Sequence, residues 1–385
     1  MIRQVRIENY KSIPSLTLDL GRITVLIGAN GSGKSNILEA IALASAASQN
    51  KLDNEFLTSR GIRVTEARFM RSAFDKPPES GGAIKVSIEG DNEVKFYHEL
   101  SADETASYPI WHHVLRSDNS EVDEIIEALK KRDLSSMQAV LKGSQRTNIL
   151  KVLEFVDSLL GVRSGTIPGF LIYAPENSAL RTFQTETQIL PLGIRGEGLF
   201  AHLKGLNSEK NKDRLVKIKT RLSLIDWFES FEIPEDLSPG ERSIRIRDRY
   251  LAEGALFDQR SANEGFLFLL FYLTLFISPE TPAFFSIDNV DSSLNPKLCI
   301  ALLQQLTTIA KEYDKQVILT THNPAILDGL DLHDDEQRLL VVDRNKHGYT
   351  RAWRVDPPKP SAGEFPVSLS EAFMRGYIGG LPENF

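Results

Sequence analysis

The stretch that decides the fold runs from Ile23 to Leu38, ITVLIGANGSGKSNIL. Ile23 to Ile27 is an almost continuous apolar run, as in a strand buried on both faces. Gly28 to Ser35 satisfies G-x-x-x-x-G-K-[ST], and Ile37 to Ala47 reads as a helix. Strand, loop and helix thus follow in the order a phosphate-binding loop requires. The glycines let successive backbone N–H groups turn toward one point, and the helix adds its positive N-terminal end. Lys34 can neutralise β- and γ-phosphate charge, and the Ser35 hydroxyl can ligate Mg2+. Asn30, Gly31, Ser32, Gly33, Lys34, Ser35 and Asn36 are therefore the candidate residues for binding a nucleoside triphosphate. A chance glycine turn is the alternative, and the flanking strand and helix argue against it.

Two further apolar runs end in chemistry-bearing residues. Phe284 to Asn289, FFSIDN, reads as a buried strand delivering Asp288 at its C-terminal end. Open α/β sheets place ligands there, so Asp288 joins Ser35 as a candidate metal ligand. Without the glycine loop, an Asp after an apolar run would read as a turn residue. Gln316 to Pro324, QVILTTHNP, puts His322 just past another buried strand, within reach of a γ-phosphate or its attacking water. Leu298, Leu302, Leu306 and Ile309 fit a crossover helix between the two strands. The fold class is α/β, with parallel strands in a layered sheet.

Composition bounds the rest. The chain has 385 residues and a formal net charge of −7, so it is not basic over its whole surface, although a local nucleic-acid patch remains open. Hydrophobic residues at 41% and charged residues at 25% are globular values, neither disordered nor fibrous. A single cysteine, Cys299, forbids an intrachain disulfide framework and a cysteine-based zinc cluster, and fits a reducing compartment. The N-terminus has no apolar core of a secretion signal. The longest apolar run, Phe266 to Ile277, is shorter than the ~20 residues of a membrane span. A soluble, cytoplasmic protein without a membrane partner is expected.

Five segments are expected along the chain. Residues 1–100 form a lobe carrying the glycine loop, with strands at Val5–Ile7, Leu16–Leu20, Ile84–Ile88 and Val94–Phe96 and a turn at Gly90-Asp91-Asn92. Residues 101–165 read as a helical insertion: Val122, Ile125, Ile126 and Leu129 share one face behind a Ser120/Asp123 capping box. Ile149, Val152, Val156 and Leu160 share another, ending at Gly161. Residues 166–175 return a strand to the sheet, and 176–235 insert helices again, with Leu215, Ile218, Leu222 and Ile225 on one face. Residues 236–385 complete the α/β lobe. No internal repeat or long heptad run is visible.

The glycine loop, the Asp strand and the His strand, in this order after IENYKSI, resemble the ATPase heads of the SMC/RecF-like branch of ABC-type ATPases. Within that branch the chain is similar to compact bacterial ATPases related to the ATPase half of OLD-family nucleases. The likeness extends over PLGIRGEG (191–198), SANEG (261–265) and the C-terminal SEAFMRGYIGGLPENF (370–385). The resemblance implies a P-loop NTPase fold of ABC/SMC-head type, with ATP and Mg2+ as ligands. It also implies that Ser261, Asn263 and Gly265 form a signature segment opening the helix Phe266 to Ile277. In such heads this segment closes on the γ-phosphate held by the other subunit, giving an ATP-linked homodimer or higher homo-oligomer. A capped buried helix is the plainer reading of SANEG. By the same resemblance Ser292 to Pro296 is a D-loop, His322 a switch histidine, and Gln49 a candidate for the glutamine loop or merely a surface residue.

Two departures from the family pattern matter. The family has Asp-Glu where this chain has Asp288-Asn289, and an amide cannot take a proton from water. Asp291 or His322 would have to substitute, so slow hydrolysis is expected. In the signature, Glu264 would oppose phosphate unless it is turned away or paired. A further motif, Arg242 with Arg245, Arg247 and Arg249 in ERSIRIRDRY, would place three arginines on one strand face, opposite Ile244, Ile246 and Tyr250. Such a row could grip DNA phosphates or lie as a solvated face.

The leading expectation is a slow ATPase switch controlling a DNA- or protein-directed effector. OLD-family nucleases carry a nuclease domain after the ATPase; the segment beyond Val355 is too short for one, so a nuclease or toxin acting in trans is expected. Antiphage defence or DNA repair is the setting the resemblance suggests. An ATP-binding scaffold with negligible hydrolysis is the alternative. A transporter cassette is disfavoured by the long separation of Lys34 from Ser261 and by the SANEG signature, and a P-loop kinase by the lack of any acceptor-substrate lid.

Overall fold

The computed structural model describes residues 1–74, 82–91, 95–103, 110–130, 167–184, 191–238, 240–357 and 367–381. Two sheets enclose the P-loop helix. The first is antiparallel, with strand order β2-β1-β4-β5-β6 among the described residues: β1 (Ile2–Tyr10), β2 (Ile13–Asp19), β4 (Ile84–Gly90), β5 (Lys95–Asp103) and β6 (Ile110–Ser117). The second comprises β3 (Ile23–Ile27), β7 (Ile172–Tyr173), β10 (Phe284–Ile287), β11 (Gln316–Thr321), β12 (Gln337–Arg344) and β13 (Thr350–Arg354). Its order is β13-β12-β3-β11-β10-β7, parallel except for β13. A separate two-stranded ribbon joins β8 (Phe228–Glu232) and β9 (Arg245–Asp248).

The central strand β3 explains why its run had to be apolar throughout. Ile23, Val25 and Ile27 face one core and Leu26 faces the other, all buried. On the Leu26 side the P-loop helix, Lys34–Ser48, packs between the two sheets and is buried almost all round. Its run of alanines suits that position, because small side chains let both sheets approach the helix. On the opposite side the helix Glu264–Ile277 is buried from Phe266 to Ile277, beside the crossover helix Pro296–Glu312. The long apolar run is therefore a core helix. Among the described residues, no helix is long and apolar enough to cross a membrane.

Several expectations are revised in detail. The 101–165 segment begins as sheet, since β5 runs to Asp103 and β6 pairs with it along its length. Only Leu115 of β6 is buried, so the strand carried almost no alternating pattern to read. The helix that follows, Ser120–Lys130, buries Val122 and Ile126 as expected. Its cap is displaced by one residue: Asn119 accepts from the Val122 N–H, while Asp123 accepts from the Ser117 N–H and hydroxyl. The second helix expected there, from Ile149 to Gly161, lies outside the described residues, as do Asn92, Val94 and the Leu129 side chain. Residues 176–235 hold the helices Asn177–Thr182, Leu199–Leu206 and Lys212–Arg221, and end in β8.

Candidate nucleotide site and signature segment

The parallel strands end at one edge of their sheet, where the expected residues gather. β3 opens into Gly28, β10 into Asp288 and β11 into His322. Gly28 and Gly33 cannot be replaced there. A Cβ on Gly28 would lie 1.9 Å from the Val342 carbonyl oxygen. One on Gly33, at φ 112°, would lie 2.1 Å from Thr350 Oγ1. The glycines thus let β12 and β13 close against the loop. Thr350 donates to the Ser32 carbonyl at 3.0 Å and meets Ser12 Oγ at 2.7 Å, and Asn36 donates to Ser12 at 2.7 Å. This chain of bonds ties the first strand turn, the loop and the C-terminal strands into one frame.

Inside the frame, Lys34 donates to the carbonyls of Gly28 and Ala29 at 2.8 and 3.1 Å, and its ammonium stands 3.5 Å from His322 Nδ1. Burial lowers the Lys34 pKa to about 8, against the pull of Asp288 and Asp291. The His322 pKa is lowered too, by burial first and then by Lys34. The Ser32 hydroxyl is buried with no hydrogen-bond partner among the described residues. An orphaned donor, a partly desolvated ammonium and a helix start without a side-chain cap all fit an incoming phosphate chain.

Asp288 is held at the adjoining corner. Ser35 Oγ donates to its Oδ2 at 3.2 Å, and Thr320 Oγ1 donates to its Oδ1. A hydroxyl and a carboxylate side by side form a hard oxygen set that suits Mg2+. Asn289 adopts φ 54°, a region asparagine tolerates, and its N–H is bonded to Thr320 Oγ1 at 2.9 Å. Asp291 accepts from Thr321 Oγ1 at 2.6 Å. Asn30 to Asn36, Asn289 and His322 line one cleft of about 530 Å3.

The same cleft includes residues that no motif announced: Lys11, Arg63, Thr65, Phe69 and Arg344. Lys11 lies within IENYKSI, and its partner explains its position. Glu39, 1% exposed on the P-loop helix, accepts from Lys11 at 2.5 Å, from Arg63 Nε at 2.5 Å and from the Tyr10 hydroxyl at 3.2 Å. Gln49 lies at the opposite end of that helix, about 22 Å from Lys34 at 1.5 Å per residue, too far to serve the cleft. The strand end that does adjoin Asp288 is that of β7, where the Asp288 N–H bonds the Tyr173 carbonyl at 2.8 Å. Glu176, three residues on, shares a second cleft with Ser35 and Asp288.

The segment expected to act as a signature lies elsewhere. Asn263, Glu264 and Gly265 line a separate cleft of about 710 Å3 together with Ser293 and Asn295 of the expected D-loop. Asn263, not Ser261, caps the helix, accepting from the Phe266 N–H at 2.8 Å. The arginine row is compensated locally. Arg245 pairs with Asp236 at 2.9 Å and Glu232 at 3.6 Å, Arg247 with Glu229 at 3.9 Å, and Arg249 donates to the Phe228 carbonyl at 2.8 Å. Ile244 and Ile246 are buried behind it, whereas Tyr250 is exposed and bonded to Asp226.

Sheet order, glycine loop and the Ser35–Asp288 corner define the class: a P-loop ATPase with an SMC-head-like fold. Residues 23–328 match a family described as "AAA domain, putative AbiEii toxin, Type IV TA system", and the chain belongs to that family. Among solved structures it is similar to an SMC head bound to the C-winged helix domain of ScpA. That match has 16% identity, 92% of this chain, 98% of that chain and a TM-score of 0.56. It is also similar to an SMC head domain from Thermotoga maritima, at 17% identity, 92% of this chain, 99% of that one and a TM-score of 0.47. No protein of curated function matches the sequence.

Proposed function

We propose that this chain is an ATP-operated switch. Mg2+-ATP occupies the P-loop cleft, and two copies close head to head so that Ser261, Asn263 and Gly265 of each complete the nucleotide site of the other. One observation carries this reading: within a single chain the P-loop cleft and the signature cleft share no lining residue. Ser293 beside Gly265 in the signature cleft also supports it, because signature and D-loop segments then meet the second copy as one surface.

Within the site, Lys34 exchanges its carbonyl partners for phosphate oxygens, and the loop N–H groups hold the chain of phosphates in line. Ser35 and Asp288 would hold Mg2+, which would supply charge neutralisation for the β- and γ-phosphates. Asn289 stands where a carboxylate would take the proton of the attacking water, and Asp291 is already bonded to Thr321. His322, with its lowered pKa, has a neutral imidazole to accept that proton. Turnover is accordingly slow, and the closed, ATP-bound pair is long-lived. The family description supports a toxin–antitoxin setting, and the compensated arginine row favours a protein partner over a direct grip on DNA. Asn289 keeps a second reading alive, an ATP-binding scaffold that does not turn over.

The test is mass in solution together with phosphate release, with and without Mg2+-ATP, for wild type and Lys34→Ala. Assembly strengthened by ATP and lost in the variant, with slow release that falls further in His322→Ala, is the expected result. Fast release with unchanged assembly overturns the switch, and assembly without any single-turnover release selects the scaffold.

A further inference from the structure

Two chemically different groups of residues line the P-loop cleft. One is Lys34, His322 and Asn289, which suit the terminal phosphate. The other is Lys11 and Arg63, both held by Glu39, with Thr65 and Phe69. Among these polar neighbours Phe69 stands out, an aromatic ring lining the cleft while 50% exposed.

Leaving such a ring in water forfeits the free energy its burial would supply, yet its backbone is firmly placed. Phe69 lies on the single helical turn Ala67–Met70, whose Ala67 and Met70 are buried on the side facing the core. The Met70 carbonyl accepts from the Lys11 N–H at 3.0 Å, and the Ser72 N–H donates to Asn9 Oδ1 at 3.2 Å. Both bonds dock the turn against the β1–β2 hairpin, whose Asn9 and Lys11 take φ values of 59° and 43°. The Arg68 guanidinium stacks over the ring at 4.7 Å from its centroid and is itself paired with Glu66 at 2.8 Å. A cation on one π-face, with half the ring still open, makes a preset surface for a second flat partner.

We propose that Phe69 is the platform on which the nucleobase of the bound triphosphate stacks, and that it gives the site a preference for purines. The inference rests on the P-loop cleft holding the phosphates, and it adds the base-recognition end of the same site. Stacking depends on overlap area, so adenine and guanine gain more than cytosine and uracil. Lys11, whose N–H bonds the Met70 carbonyl next to Phe69, and Arg63 line the same cleft and would flank the sugar and the inner phosphate.

Equilibrium binding of ATP, GTP, CTP, UTP and inorganic tripolyphosphate, each with Mg2+, tests this in wild type, Phe69→Ala and Phe69→Trp. Phe69→Ala is expected to weaken ATP about 10-fold, a typical loss for one stacked base. Tripolyphosphate binding should be unchanged and the purine preference narrowed. Phe69→Trp should retain ATP, with indole fluorescence altered by ATP and not by tripolyphosphate. Equal ATP affinity in wild type and Phe69→Ala overturns the platform. So does an equal loss of ATP and tripolyphosphate in Phe69→Ala, because the ring would then be supporting the cleft. Wild type that binds tripolyphosphate as tightly as ATP sinks the platform alone, whereas wild type that binds neither sinks the phosphate cleft with it.

Discussion

Two helices in this chain begin at the places where the sequence promises anion chemistry, and their first turns are finished in opposite ways. The P-loop helix starts at Gly33 in a left-handed conformation, with no side-chain cap and no acid in its first turn. Its first N–H groups have no side-chain cap, and the Lys34 ammonium is held by the Gly28 and Ala29 carbonyls, partners that phosphate oxygens can replace. The signature helix starts at Asn263, whose side chain already accepts from Phe266, and carries Glu264 in its first turn. Its N-terminal charge is largely answered by its own residues. The first helix end is therefore a strong anion site by itself, while the second offers a weaker contact that needs the geometry of a partner to matter. For the proposed switch, that asymmetry would let the nucleotide bind first and the second head close later.

The largest effect should come from emptying the open end. Lys34→Ala is expected to weaken ATP binding at least about 100-fold, since a charge-assisted contact to phosphate is lost in a desolvated site. An affinity within a few-fold of wild type would break the contrast between the two ends. The next largest falls on what holds the open end in place. Glu39→Ala leaves Lys11, Arg63 and the Tyr10 hydroxyl without their buried acceptor and should cost about 3 kcal/mol in urea unfolding. Unchanged stability would mean that the surrounding frame, rather than this acid, positions the helix.

The same contrast separates two buried ammonium groups. Lys34 borders the cleft, whereas Lys315 is sealed in, 3% exposed, donating to Thr281 O and Oγ1 and to the Pro282 carbonyl at 2.8, 2.9 and 3.1 Å. Burial first, then Arg214, lowers the Lys315 pKa from 10.5 to about 7. The folded state disfavours the charged form, so the penalty is full below pH 7. It is relieved as pH rises from 7 toward 10.5, because the unfolded chain still binds the proton there. Stability should therefore rise on the order of 1–2 kcal/mol between pH 7 and 9. Lys315→Met should flatten that rise, and an identical pH profile in the variant would refute the assignment.

The smallest effect belongs to the satisfied end. Asn263→Ala should lower stability by about 1 kcal/mol through loss of the cap, with Asn263→Asp restoring most of it. A loss of ATP-linked assembly in Asn263→Ala without that stability change would mean that the side chain serves the partner rather than its own helix.

The glycine loop was legible because its chemistry fixes both residue types and spacing: only glycines tolerate Val342 and Thr350 at that distance. Asp288 and His322 were legible because each follows an apolar run long enough to be a core strand. β6 was not, since its faces differ mainly between exposed and half-buried and the apolar Ile110 and Val114 lie on the exposed one. Gln49 misled because closeness in sequence to the P-loop helix said nothing about which end of it the residue occupies. Phe69 lies in a segment without a motif, and only its docking against Lys11 brings it to the cleft.

By itself, then, the sequence determined the elements whose signals are local: the phosphate loop, the strands ending in Asp288 and His322, and the all-apolar helix after SANEG. Tertiary structure alone decided which strands are neighbours, with β3 set between β11 and β12. It also decided that Glu39 gathers Lys11 and Arg63, that the Asn263 side chain caps the helix it begins, and that the SANEG segment lines a cleft apart from the phosphate loop. The physical reason is that backbone preferences and hydrophobic periodicity act over a few residues. Partner choice for a buried charge, and the face a helix end presents, depend on chain segments brought together from far apart in sequence.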